Sequence, residues 1–138
     1  MTAGTPWSGG EVRAEGLVLR HWTPADVPCL VRLFDTAEMD RWTPLPHPFD
    51  ADVAVGYAEA ARRGLENGTL QLAVTTDGAR PLGEVLLFPT DEPATCELAY
   101  AIGSEHRGQR LAARAVSALL RRERKGYVLH LATWRRDL

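Results

Sequence analysis

Residues 96–125 read CELAYAIGSEHRGQRLAARAVSALLRRERK, and the order of events in that stretch decides the fold. A short apolar run, Leu98-Ala99-Tyr100-Ala101-Ile102, stops at Gly103. A polar turn follows, carrying Arg107-Gly108-Gln109-Arg110. From Leu111 to Lys125 the apolar residues Leu111, Ala112, Ala115, Val116, Leu119 and Leu120 form a stripe at helical spacing. Strand, exposed turn, helix is an arrangement that aims the unpaired N–H groups of a helix N-terminus into the turn. Those groups and the positive end of the helix dipole suit an anion. Arg107 and Arg110 add charge at the same place, so the stretch is built to take a phosphate-bearing ligand.

Outward from there, the pattern continues in both directions. After Gly126, Tyr127 to Ala132 reads as one more strand. A strand, a helix and a strand over 97–132 imply a parallel pair joined by a right-handed crossover. Upstream, Gln71–Thr75 and Leu82–Phe88 read as strands on either side of an Asp77-Gly78 turn, which makes 71–102 an antiparallel meander. Asp50 opens a helix with Val53, Tyr57, Ala60, Ala61 and Leu65 on one stripe, ending at Asn67-Gly68. Before it, Trp42-Thr43-Pro44-Leu45-Pro46-His47-Pro48-Phe49 has proline at alternate positions, which excludes helix and makes an extended loop. Its aromatics either cap the core beneath the loop or wall a pocket. Leu17 to Arg20 is a strand, and Thr23-Pro24-Ala25-Asp26 carries the cap, proline and acidic signals of a helix start. That helix has Val27, Leu30, Val31 and Phe34 on one face and runs to about Thr36.

The predicted order is β-α-α-β-β-β-α-β, an α/β (α+β) domain with a mixed, mostly antiparallel sheet flanked by helices. Its 138 residues make one domain with a real core. Residues 1–12 read as a flexible tail and 13–138 as the domain. No apolar run approaches a membrane span, and no signal peptide is visible. Two cysteines, Cys29 and Cys96, fit free thiols in a reducing compartment, so the expected location is cytoplasmic. Charge is uneven: residues 1–102 hold 7 Arg against 15 Asp and Glu, and residues 103–138 hold 9 Lys and Arg against 3. The basic C-terminal quarter suits either a helix end or a small polyphosphate. Few aromatics are interleaved with it, so nucleic acid is not the expected partner.

Together, Leu17-Val18-Leu19-Arg20, Thr23-Pro24-Ala25-Asp26, Met39-Asp40-Arg41-Trp42, Glu97-Leu98-Ala99-Tyr100-Ala101-Ile102 and Arg107-Gly108-Gln109-Arg110-Leu111-Ala112 resemble the GCN5-related N-acetyltransferase (GNAT) family. The branch most resembled acetylates ribosomal-protein N-termini and related amines. The last motif stands where the family has Gln/Arg-x-x-Gly-x-Gly/Ala, with Arg110 in place of the family glycine. The resemblance implies acetyl-CoA as co-substrate and an amine, small-molecule or peptide, as acceptor. The backbone of Tyr100, Ala101 and Ile102 would pair with the pantetheine arm. Amides of Arg107, Gly108, Gln109, Arg110, Leu111, Ala112 and Ala113 would cradle the pyrophosphate. The thioester would lie near His130. Glu97 is the implied general base, with Glu84 second, and Trp42, Phe49 and Glu84 are the expected acceptor-side residues. Arginine at 110 is expected to keep right-handed helical dihedrals and point outward.

The family continues beyond the last strand with a helix and a hairpin, and this sequence stops at Leu138. Three readings follow: an acetyltransferase completed by a homodimer partner, a truncated product that binds coenzyme A poorly or not at all, and a binding module without chemistry. No metal site is expected.

Overall fold

The computed structural model describes residues 11–91, 95–123 and 128–131. The sheet has six strands in sequential order: β1 (Val12–Ala14), β2 (Leu17–His21), β3 (Leu70–Thr75), β4 (Gly83–Pro89), β5 (Thr95–Ile102) and β6 (Val128–Leu131). The first five pair antiparallel and β6 pairs parallel to β5. The mixed, mostly antiparallel sheet expected from sequence is therefore what forms. The helix α4 (Leu111–Glu123) makes the crossover between β5 and β6.

Alternation along the strands sorts the core into two layers. Leu70, Leu72, Val74, Val85, Leu87, Leu98 and Ile102 face α4, where Leu111, Ala115, Ala118 and Leu119 cover them. On the other face Ala73 and Ala101 lie under Trp22, Leu30, Leu33, Phe34, Met39, Phe49, Ala54, Ala58 and Ala61. These come from the end of β2, from α1 (Val27–Phe34), α2 (Ala37–Trp42) and α3 (Ala51–Gly64), and from the loop before α3.

Local chemistry explains where most elements begin. The Asp26 carboxylate takes the N–H of Thr23 at 2.8 Å, and a 3-10 turn over Pro24–Asp26 leads into α1. The Asp50 carboxylate takes the N–H of Val53 at 3.0 Å and starts α3. Left-handed Gly68, φ 87°, ends the 3-10 turn that follows α3.

Two elements are additions to the expected order. β1 joins β2 through Glu15 and Gly16, both at positive φ, the two-residue turn whose twist matches a hairpin. Its first residue, Val12, is buried, so the ordered domain starts within the stretch expected to be tail. The first helix stops at Phe34, not Thr36, because the Thr36 hydroxyl accepts the N–H of Met39 and caps α2 instead. Within α3, Ala60 is exposed and Ala54 and Ala58 are buried, one turn-position away from the expected stripe. Residues 1–10, 92–94, 124–127 and 132–138 lie outside the described residues.

Candidate functional site

The register of the sheet creates the first feature of the site. β4 pairs with β5 from Cys96 to Ile102, and the described residues of β6 pair with Thr95 to Leu98. Among the described residues, the β6-facing edge of Ala99 to Ile102 is left without a neighbouring strand. A strand edge of this kind can take an extended ligand as an added strand. At the far side of this segment the two strands are held close by Gly83, where a side-chain carbon would lie 2.5 Å from the Ala101 carbonyl oxygen.

The open edge leads into a groove of ≈ 190 Å³ lined by Tyr100, Ile102, His106, Arg107, Gly108, Arg110, Leu111, Ala112 and Ala113. Eight of these nine belong to the set read from the sequence as phosphate- and arm-binding. His106, next to the motif, is the addition. Ala101 contributes backbone only, since its side chain is in the core on the opposite face. Gln109 turns inward on its own loop, its amide donating to the His106 carbonyl at 3.3 Å.

Two left-handed residues shape the groove: Gly108 at φ 89° and Arg110 at φ 58°. A side-chain carbon at Gly108 would meet nothing within 4 Å, so the glycine is required by its dihedral and leaves space where an anion can approach the backbone. Arg110 corrects an expectation. It does not keep right-handed helical dihedrals; it adopts the conformation glycine would take and pays the steric cost of its Cβ. The helical ladder starts there, with the Arg114 N–H on the Arg110 carbonyl at 2.9 Å. The N–H groups of the first turn of α4 therefore point out of the helix beside the groove.

Arg114 steadies the loop, donating to the carbonyls of Gln109 at 3.2 Å and Glu15 at 3.1 Å. Arg107 donates through Nη1 to the Glu38 carboxylate on α2. The sequence held no sign of that partner, 69 positions away.

The expected catalytic residue, Glu97, is half-buried on β5, in register with Phe88 on one side and with His130 of β6 on the other. It precedes Ala99 by two residues. Strand alternation puts it on the face of Ala99 and Ala101, opposite Tyr100 and Ile102.

Of the three acceptor-side candidates, two are core residues, and Trp42 belongs to a helix and not to the extended loop read from the sequence. Trp42 ends α2 half-buried, with the Arg41 guanidinium 5.4 Å from its ring centre. Phe49 is instead fully buried, edge-on to Phe34 and Tyr57 with ring centres 5.5 and 5.3 Å away. It is the capping alternative that the loop takes, since a phenyl ring gains most by leaving water.

Glu84, 1 % exposed, is also a core residue. Its carboxylate accepts from Trp22 Nε1 at 3.1 Å, from Gln71 Nε2 at 3.0 Å and from the Tyr57 hydroxyl. Burial raises its pKa against the pull of those three donors, and burial followed by the nearby Glu84 charge raises Tyr57 well above its ordinary value. Tyr57 therefore stays a proton donor to Glu84 at neutral pH. The set is closed on itself, and neither Phe49 nor Glu84 presents a surface to a ligand.

A larger hollow of ≈ 420 Å³ lies between α1 and the loop at Ala79–Pro81, and the buried carboxylate on its wall, Asp26, is already paired with Arg20 at 2.8 Å. It offers less convergent chemistry than the groove. No group of three His, Cys, Asp or Glu among the described residues could hold a metal, and no helix among them is long and apolar enough to cross a membrane.

A mostly antiparallel sheet with a parallel last strand, and a left-handed loop and helix N-terminus between β5 and β6, is the arrangement of an acyl-CoA N-acyltransferase type of fold. Residues 16–132 match the acetyltransferase (GNAT) domain, and the chain belongs to that family.

No curated protein sequence matches the chain significantly. Among solved structures it is similar to Mycobacterium smegmatis RimJ in complex with CoA-disulfide, with 18% identity, TM-score 0.70, and 89% of this chain and 65% of that one covered. It is also similar to an acetyltransferase of the GNAT family from Bacillus anthracis, with 13% identity, TM-score 0.68, and coverage of 80% and 64%. A third is the microcin C7 self-immunity acetyltransferase MccE in complex with acetyl-CoA and AMP, with 16% identity, TM-score 0.64, and coverage of 76% and 61%. The chain thus spans just under two thirds of the length of these structures.

Proposed function

We propose that the chain transfers an acetyl group from acetyl-CoA to a primary amine, a protein N-terminus or a small-molecule amine, by direct attack in a ternary complex. The observation that carries this reading is the continuity of β5, through Tyr100 and Ile102, with the groove of Arg107, Gly108, Arg110 and the first turn of α4. An extended amide-containing arm ending in a pyrophosphate fits both parts at once. The edge of Ala99–Ile102 holds the arm as an added strand, and the amides of the loop and helix hold the phosphates. The thioester supplies the acyl group, and it sits near Glu97 and the register position of His130.

Glu97 takes the proton of the incoming ammonium so that the amine can attack. A backbone N–H of β5 faces the oxygen on which charge develops. Trp42 contributes a wall of the acceptor side. Membership of the GNAT family and the coenzyme-bound state of structures with the same fold support the reading.

The test is thermal unfolding of the 138-residue chain with and without excess acetyl-CoA, followed by thiol release with simple amines. At about 100 times its dissociation constant, the ligand adds roughly 2.7 kcal/mol to stability. A cooperative transition that fails to move overturns the proposal.

A further inference from the structure

We infer that Glu38 is a positioning residue for the groove: it holds Arg107 with one edge of the guanidinium engaged and the other turned to an anion. The inference rests on the reading of the groove as the coenzyme site. Among the described residues Arg107 spends only Nη1 on Glu38, in an ion pair whose side chains are 34% and 35% exposed. A guanidinium is a planar fork with five N–H donors, so Nε and Nη2 remain for a phosphate in the same plane. Arg107 lines the groove and Glu38 does not. The carboxylate therefore approaches the arginine from behind, and it does not occupy the place of the ligand.

Glu38 is itself fixed. It sits in the first turn of α2, whose N-cap Thr36 accepts the Met39 N–H at 3.1 Å and whose Met39 is buried in the core. An unheld arginine has to give up its rotamer freedom when a phosphate binds; one already held gives up less. The pair also ties the phosphate loop to the helix that ends at Trp42, linking the coenzyme groove to the acceptor side.

The experiment is calorimetric titration of the chain with coenzyme A, in wild type, Glu38→Ala, Glu38→Gln, Arg107→Ala and the Glu38→Ala/Arg107→Ala double variant. Positioning predicts a dissociation constant raised about fivefold to tenfold in Glu38→Ala, by the ordering of one long side chain. Glu38→Gln, which keeps an acceptor for Nη1, recovers part of the loss. In the Arg107→Ala background, removing Glu38 has no further effect. Tighter binding in both Glu38 variants would show that the carboxylate merely repels or competes with the ligand, and would overturn the inference. So would unchanged affinity, or an equal loss in the Arg107→Ala background. Wild-type protein that binds no coenzyme A defeats the reading of the groove itself, and the inference with it.

Discussion

At Arg110 a side chain stands where the backbone calls for none. An L-residue in the left-handed region costs roughly 1–2 kcal/mol through the contact of its Cβ with the following carbonyl. Arg110→Gly removes that contact, and the extra freedom of glycine in the unfolded chain returns about 0.4–1 kcal/mol of it. The expected net result is a gain of about 0.5 kcal/mol, read as a higher urea midpoint at constant slope. Arg110→Ala keeps the Cβ and should show no such gain, which separates strain from charge. Gly108→Ala is the mirror case: the space is open, the dihedral is not, and a loss of about 1 kcal/mol is expected. In the proposed reaction, chemistry at the residue scale turns on Glu97. Replacement by Gln should lower kcat by roughly 10²–10⁴ while leaving the stabilisation by acetyl-CoA intact; an unchanged kcat would move the base elsewhere.

Among the elements, α4 has two duties that one substitution can set against each other. Ala113 is exposed in its first turn. Aspartate there complements the helix dipole, so Ala113→Asp should raise stability by about 0.3–1 kcal/mol. The same charge faces the groove proposed to hold the phosphates, and coenzyme A binding should fall at least tenfold. Stability and binding moving in the same direction would show that the helix N-terminus is not the anion site. The elements that sequence announced well are those with a chemical start signal and enough length to show a period: α1 behind Thr23 and Asp26, α3 behind Asp50, and α4 with its stripe. β1 and α2 have 3 and 6 residues, too few for either periodicity to declare itself. Their signals were local instead. Glu15-Gly16 marked a hairpin turn, and Thr36 could cap a new helix as readily as close the previous one.

For the molecule as a whole, what sequence could not supply is which side chains the tertiary packing closes over. The groove was legible because its residues are contiguous, whereas Glu84 depends on Trp22, Tyr57 and Gln71 arriving from three other elements. The partner of Arg107 was hidden for the same reason. That packing sets two opposed pH dependences. Asp26 is pushed up by burial but pulled down further by Arg20, at 2.8 and 3.0 Å, and by Thr23, so its folded pKa lies below the ordinary 3.8. Its stabilisation is present above pH 3.8 and is lost as pH falls through the folded value. Glu84, raised by burial above the ordinary 4.5, behaves in the reverse sense: its contribution is full below pH 4.5 and declines as pH rises through the folded value. Unfolding in urea across a pH series should therefore show the deficit of Asp26→Asn shrinking toward acid. The deficit of Glu84→Gln should shrink toward neutrality, because the glutamine avoids a buried charge. Glu84→Ala leaves the Trp22, Gln71 and Tyr57 donors without their acceptor and should lose about 3 kcal/mol or more at every pH in the series. A Glu84→Gln deficit that stays flat from acid to neutral pH would mean that Glu84 has the same pKa in the folded and unfolded chain. The three donors would then offset its burial, and Asp26 alone would set the acid limb.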